Sequence, residues 1–286
     1  MTQLSFRFGT VGSPLTTPKK PGGSIGGIQR LAELGLSGLE LGWVRSVRVT
    51  ETSCNEIRAA GQAQDVAISI HASYFFNLNA NDEEWPKSRQ RLMDAAHFGN
   101  LAGATDIIFH PGSYFEKAPD LVLSVAIPRL AGCIADLRAA GNDVTLRPET
   151  MGKSAMLGSL EDTIIMSREI EGVQPCLDFA HLHARPGDGS MNTHSDWTRV
   201  LEFYGKSLGD DSLKRLHIHL SGIAYGPKGE REHLPLQDSD LDVIAILGAL
   251  KDFKCQGRIL CESPILEEDA LLCKQTWQEI SQENDG

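Results

Sequence analysis

No run of about eighteen apolar residues occurs in the chain, so the sequence offers no helix that would span a bilayer. The first residues, MTQLSFRFGT, lack the basic start and following apolar stretch of a secretory signal. Both absences lead to the expectation of a cytoplasmic protein without a membrane partner. Cysteine is sparse and unpatterned. Cys54, Cys133, Cys176, Cys255, Cys261 and Cys273 include no C-x-x-C pair, and most sit in apolar runs where a reduced thiol packs as a small hydrophobe. Neither a disulfide framework nor cysteine-based chemistry is expected. The signatures G-x-G-x-x-G and the P-loop are missing too, which argues against dinucleotide and P-loop chemistry. Positive charge is also short, with 27 Lys and Arg against 38 Asp and Glu and a net charge of -11. That excludes a protein holding nucleic acid through a broad basic surface, but not a nucleic-acid enzyme whose positive charge comes from bound divalent cations.

What is present is a regular alternation. Of the 286 residues 41% are hydrophobic, and β-rich runs alternate with stretches of helical period. The runs cover 4–12, 38–44, 66–73, 106–112, 144–150, 174–181, 213–222 and 257–264, each trailed by a helical segment. In the first helix, Ser24 is the expected cap and Gly35 the stop. Eight such pairs in about 250 residues is the count for a closed (β/α)₈ TIM barrel, read here as a single domain over 1–286. An open doubly wound sheet is the rival, but no composition break marks a second domain. Two long loops, Pro186 to Ser195 and Ile223 to Leu236, are expected on the C-terminal face of the barrel.

The stretch DIIFHPGSYF, from Asp106, stops a buried apolar run at His110 and turns at once through Pro-Gly. In a barrel, active sites assemble at the C-terminal ends of the strands, so such terminal polar residues are informative. Reading the ends in order gives His71, His110, Glu149, Asp178 with His181, His217 or His219, and Glu262. His217 and His219 share one side of their strand, and His219, nearer the end, is the preferred ligand. Imidazole and carboxylate together form the ligand set of zinc or manganese, whereas magnesium or calcium leans on oxygen alone. The supply exceeds what one ion needs, which points to several ions bridged by carboxylates and to phosphoryl chemistry. His97, His183 and His194 are read as packing or loop residues.

Seven segments carry a resemblance to a known family: HASYFFNLNA from His71, GATDIIFHPGS from Gly103, ETMGK from Glu149, CLDFAH from Cys176, HLSG from His219, GEREHLPL from Gly229 and ILCESP from Ile259. They span nearly the whole chain, which thereby resembles the endonuclease IV family of zinc-dependent AP endonucleases with a xylose-isomerase-like barrel. The resemblance implies a hydrolase of base excision DNA repair. It would use two to three zinc ions to cleave the phosphodiester 5′ to an abasic site in double-stranded DNA, leaving a 3′-hydroxyl. It also implies that His71, His110 and Glu149 hold one ion, with Glu149 bridging to a second held by Asp178, His219 and Glu262. His181 would hold the third with ligands from GEREHLPL.

That loop departs from the family's D-x-H pattern. Glu230 with Glu232 keeps the spacing, Glu230 with His233 keeps the ligand types, and the latter pair is preferred. The resemblance further assigns Glu149 to orient the attacking water and accept its proton, with Asp178 and Glu262 positioning the second ion. Tyr74 and Phe75, after the third strand, match the side chains that fill the gap left by a flipped nucleotide, and Arg45 and Arg48 suit phosphate or the orphan base. The alternative is a sugar isomerase or epimerase of the same barrel group, whose single metal would use Glu149, Asp178, His219 and Glu262. A third reading is a damage-binding protein without turnover. A monomer is the favoured state.

Overall fold

In the computed structural model, which describes residues 6–282, eight parallel strands form a barrel with helices between them. The strands are Phe6–Val11 (β1), Gly38–Gly42 (β2), Ala67–His71 (β3), Ala104–Phe109 (β4), Thr145–Pro148 (β5), Cys176–Asp178 (β6), Leu216–Leu220 (β7) and Gly257–Cys261 (β8). Each pairs with its sequence neighbour, and β1 pairs with β8. Between β5 and β6 the ring is joined only by single bridges, Leu146 to Val173 and Glu149 to Cys176, so it is nearly closed. Leu4 and Ser5 of the first expected strand lie outside the described residues, as do Met1 to Gln3.

Helices over Gly23–Glu33 (α1), Glu51–Ala63 (α2), Trp85–Leu101 (α3), Pro119–Ala139 (α4), Leu160–Glu169 (α5), Phe179–Ala184 (α6), His194–Leu208 (α7), Val243–Asp252 (α8) and Glu267–Gln282 (α9) surround the ring. Several starts follow from local chemistry. Thr50, Ser159 and Thr193 each form a reciprocal cap with the residue three positions on, satisfying backbone N–H groups that the first turn leaves unpaired. Ser24 is not the cap of α1: it lies inside the helix, and Gly22 takes the cap position. Gly35 does follow the helix end with φ of +71°, the left-handed conformation a stop requires. The expected loop from Ile223 to Leu236 is mostly an antiparallel hairpin, Gly222–Gly226 with Gly229–Leu234.

Below the C-terminal face the interior is polar rather than purely aliphatic. Near the opposite end of the barrel, buried Asp106 contacts Arg147 and lies 3.0 Å from Arg258, while Arg147 also donates to the carbonyls of Pro175 and Arg215. Two guanidiniums thus share one carboxylate at this end of the barrel.

Candidate metal centre

The strand ends bring Glu149 to the centre of a ring of imidazoles. Its Oε2 lies 3.2 Å from His71 Nε2 and 3.4 Å from His110 Nε2. Its Oε1 lies 3.1 Å from His181 Nδ1 and 3.7 Å from His219 Nδ1. His71 ends β3, His110 follows β4 and Glu149 follows β5, so the parallel register sets them side by side. The turn after His110 depends on Gly112, which has φ of +124° and whose missing Cβ would fall 2.1 Å from Asn77 Oδ1. Burial opposes a charge on Glu149, yet His110 first, then His181 and His219, hold its carboxyl well below the ordinary glutamate range.

Asp178 and His181 owe their spacing to a helix start. The sequence reading carried the sixth strand to His181, but the strand ends at Asp178 and His181 lies in the first turn of α6. Asp178 caps that helix, its Oδ1 accepting from His181 N at 2.7 Å, which leaves Oδ2 to face the cluster 3.4 Å from His181 Nδ1. Burial pushes Asp178 up to about 6, with Glu262 and Glu149 adding to the rise against the pull of His181. Burial disfavours a charged His181, but Asp178, Glu149 and Glu230 outweigh it and raise the ring to about 10.

The hairpin closes one side. Glu230 Oε2 lies 3.6 Å from His181 Nε2, and His233 Nε2 lies 3.9 Å from Glu262 Oε2. Glu262, just past β8, also approaches His219 Nδ1 at 3.3 Å. Glu232 is exposed and makes no contact with the cluster. The approach of Glu230 requires a glycine opposite: a Cβ on Gly152 would lie 2.7 Å from Glu230 Cβ and 3.0 Å from His181 Cδ2. His110, Glu230, His233 and Glu262 stay partly open to solvent, whereas Glu149, Asp178, His71, His181 and His219 are buried.

Sequence reading missed Glu40. This fully buried glutamate in mid β2 accepts hydrogen bonds from Ser69 Oγ at 2.8 Å and His217 Nε2 at 2.9 Å, and its Oε1 lies 3.1 Å from His219 Nε2. The available signal was an acidic residue in the middle of the apolar run GLELG. His217 sits with Glu40 one layer below the cluster, and burial, partly countered by Glu40, brings its ring down to about 4. Cys176 lies near His217 and His219 on the neighbouring strand, and burial pushes its thiol far up.

The four residues expected to meet nucleic acid are all on this face. Tyr74 and Phe75 are exposed, at 55% and 63%, and the Tyr74 ring stacks on His110 with centroids 5.0 Å apart. Burial of its hydroxyl, with Glu262 and Glu149 near, pushes Tyr74 up to about 12. Arg45 and Arg48 are exposed in the segment between β2 and α2. Phe115, which sequence reading passed over, is 57% exposed at φ of +49° and lines one cavity with Phe75.

The donor set fits divalent ions. Glu149 Oε1, Asp178 Oδ2, His181 Nε2 and His219 Nδ1 are buried without any hydrogen-bond partner, a state that costs on the order of 1–3 kcal/mol per group unless a cation satisfies it. Five groups of ligand atoms lie within 4.8 Å of one another among the described residues: His71, His110 and Glu149; Glu149, Asp178, His219 and Glu262; Asp178, His181 and His233; and, reaching one layer down, Glu40, His71 and Glu262, and Cys176, His217 and His219. The surroundings also set tautomers. His71 Nδ1 and His181 Nδ1 each lie 2.9 Å from a backbone carbonyl, of Ala72 and Thr150, and donate to it, which turns Nε2 of His71 to Glu149 and Nε2 of His181 to Glu230. Mixed imidazole and carboxylate donors suit zinc or manganese better than calcium.

Known proteins share this architecture. A protein of Methanocaldococcus jannaschii described only as uncharacterized is 35% identical over 279 residues, 97% of this chain and 99% of its own length. A probable endonuclease 4 of Staphylococcus aureus is 27% identical over 213 residues, 71% of this chain and 68% of its own. Among solved structures, endonuclease IV of Thermus thermophilus aligns over 96% of this chain and 99% of its own with a TM-score of 0.69 and 21% identity. A D-tagatose 3-epimerase-like protein aligns over 97% and 99% with a TM-score of 0.72 and 17% identity. These two likenesses speak for the fold alone. The model of the xylose isomerase-like TIM barrel family matches residues 28–278, and the chain belongs to that family.

Proposed function

We propose that the chain is a divalent-metal hydrolase of the endonuclease IV type, acting in the cytoplasm as a monomeric single-domain enzyme of base excision repair. Its reaction is hydrolysis of the phosphodiester 5′ to an abasic site in double-stranded DNA, leaving a 3′-hydroxyl. One observation carries this reading: Glu149 has four imidazoles within 3.7 Å, a donor supply beyond what one ion uses.

His71, His110 and Glu149 would hold one zinc, Glu149 with Asp178, His219 and Glu262 a second, and His181 with Glu230 and His233 a third. When bound, the ions would activate water, neutralise the phosphate and stabilise the leaving oxygen. Glu149, whose two oxygens face different imidazoles, would share ions and receive the proton of the attacking water. Asp178, fixed by its cap, and Glu262, open to solvent, border the space where the phosphate docks. Tyr74 and Phe75 fill the stack vacated by the lesion, and Arg45 and Arg48 meet the backbone.

The test is incubation of zinc-loaded protein with a duplex oligonucleotide carrying one abasic-site analogue, beside an undamaged duplex, resolved on a denaturing gel. Incision at the lesion alone with a 3′-hydroxyl product is expected. Glu262→Gln should lower both zinc content and incision, and full retention of both would remove Glu262 from the site. A second reading, a sugar isomerase or epimerase, is favoured by the compact group Glu149, Asp178, His219 and Glu262, enough for one ion. Turnover of a ketose by metal-loaded protein that leaves the abasic duplex intact would replace the first reading with the second.

A further inference from the structure

Three imidazoles at the centre are anchored through Nδ1. His71 and His181 meet the carbonyls of Ala72 and Thr150, and His233 Nδ1 lies 2.6 Å from Ser221 Oγ. Each turns Nε2 toward a carboxylate, of Glu149, Glu230 and Glu262 in turn, although His181 Nδ1 also lies 3.1 Å from Glu149 Oε1. His219 is reversed. Its Nδ1 faces Glu262 and Glu149, and its Nε2 points down the barrel to Glu40 Oε1 at 3.1 Å, a contact without the alignment of a formal hydrogen bond. An imidazole presents a lone pair on one nitrogen only if the proton rests on the other, so His219 needs an acceptor behind it.

We infer that Glu40 is that acceptor: a positioning residue, outside the ligand set, that keeps the His219 proton on Nε2 and commits Nδ1 to the metal. Glu40 is suited to the task because it cannot turn away. Ser69 Oγ and His217 Nε2 both hold Oε2, all three side chains are fully buried, and the register of β2 with β3 sets Glu40 directly beside Ser69. His217 thus has a purpose one layer below the ions, as the partner that orients the orienting carboxylate. A carboxylate behind a metal-bound histidine fixes ring orientation and raises ligand basicity, and its loss commonly costs 10- to 100-fold in metal affinity. The inference rests on the metal reading of the same site and adds to it a residue from the second strand.

The experiment is zinc titration of the full chain against a chromophoric chelator, for the wild type, Glu40→Gln, His219→Ala and the double variant, each first checked for a cooperative unfolding transition. Glu40→Gln keeps the shape and removes the charge. It is expected to weaken one zinc by about 10- to 100-fold while the others bind as before. In the His219→Ala background the same change should have no further effect, an outcome that a merely structural role for Glu40 would not give. Nitrogen-15 spectra of the zinc-loaded wild type should report His219 as the Nε2–H tautomer. Wild-type affinity for every zinc in a folded Glu40→Gln chain, or an equal loss with and without His219, would overturn the inference alone. A wild-type chain that binds no zinc at all would overturn the metal reading on which it rests.

Discussion

Glu230 and His233 face the same side of one strand although they are three residues apart. A regular strand alternates sides every residue, so this pair should point in opposite directions. Tyr225 pairs with Glu230 and Ala224 with Glu232, which leaves Arg231 as an extra residue opposite no partner. The bulge shifts the phase by one and returns His233 to the face that Glu230 occupies. Deleting Arg231 should therefore keep both side chains on that face at a spacing of two, with zinc stoichiometry unchanged. Glu230→Ala and His233→Ala should each lower it. Loss of an ion on deletion of Arg231 would show that the bulge does more than adjust phase.

The metal-free protein should become less stable as pH rises. His181 is raised from 6.5 to about 10, so the folded state holds its proton more tightly than the unfolded chain, and that stabilisation is complete below pH 6.5 and lost as pH climbs through about 10. Asp178, raised from 3.8 to about 6, has the same sign, and its share fades between those two values. Zinc reverses the trend, because bound ligands must be deprotonated. Urea midpoints measured in chelator from about pH 6.5 to about pH 9, above the window in which His217, brought down to about 4, gives the opposite slope, should fall, while those of zinc-loaded protein should not. A flat profile for the stripped protein would contradict the His181 assignment.

Tyr74 and Phe75 stand on the open face, Phe75 with little packing to lose and Tyr74 with its ring stacked on His110. If they fill a gap in a base stack, each change to Ala should weaken binding to an abasic duplex by roughly 1–3 kcal/mol, about 5- to 150-fold. For Phe75→Ala, zinc content and unfolding midpoint should stay as in the wild type. Equal binding of the variants and the wild type in an electrophoretic shift would take both residues out of the interface.

At the other end of the barrel, Asp106 is the shared partner of the buried Arg147 and the half-buried Arg258. Burial would raise its carboxyl, yet Arg147 and then Arg258 hold it far below the ordinary aspartate range. Asp106→Asn leaves Arg147 and Arg258 uncompensated and should cost about 3–5 kcal/mol. Because the site lies at the opposite end, zinc content at neutral pH should not change. A denaturation curve superimposable on that of the wild type would refute the structural role.

The sequence by itself determined the eightfold alternation and the strand ends on which His71, His110, Glu149, Asp178 and Glu262 sit. Each is read from a local pattern, an apolar run and the polar residue that stops it. The D-x-x-H spacing of Asp178 and His181 was equally visible, though its cause, a carboxylate capping a helix that begins one residue past the strand, was not. Tertiary structure decided what depends on neighbours distant in sequence. Glu40 looks like a strand residue until β2 is set beside β3 and its carboxylate meets His217 and His219, 177 residues away in the first case. That His233 and not Glu232 faces the cluster turned on a bulge, which depends on how two strands pair and not on the composition of either. Which nitrogen each histidine presents was likewise fixed only by what stands behind the ring: a backbone carbonyl for His71 and His181, a serine hydroxyl for His233, and a buried carboxylate beside His219.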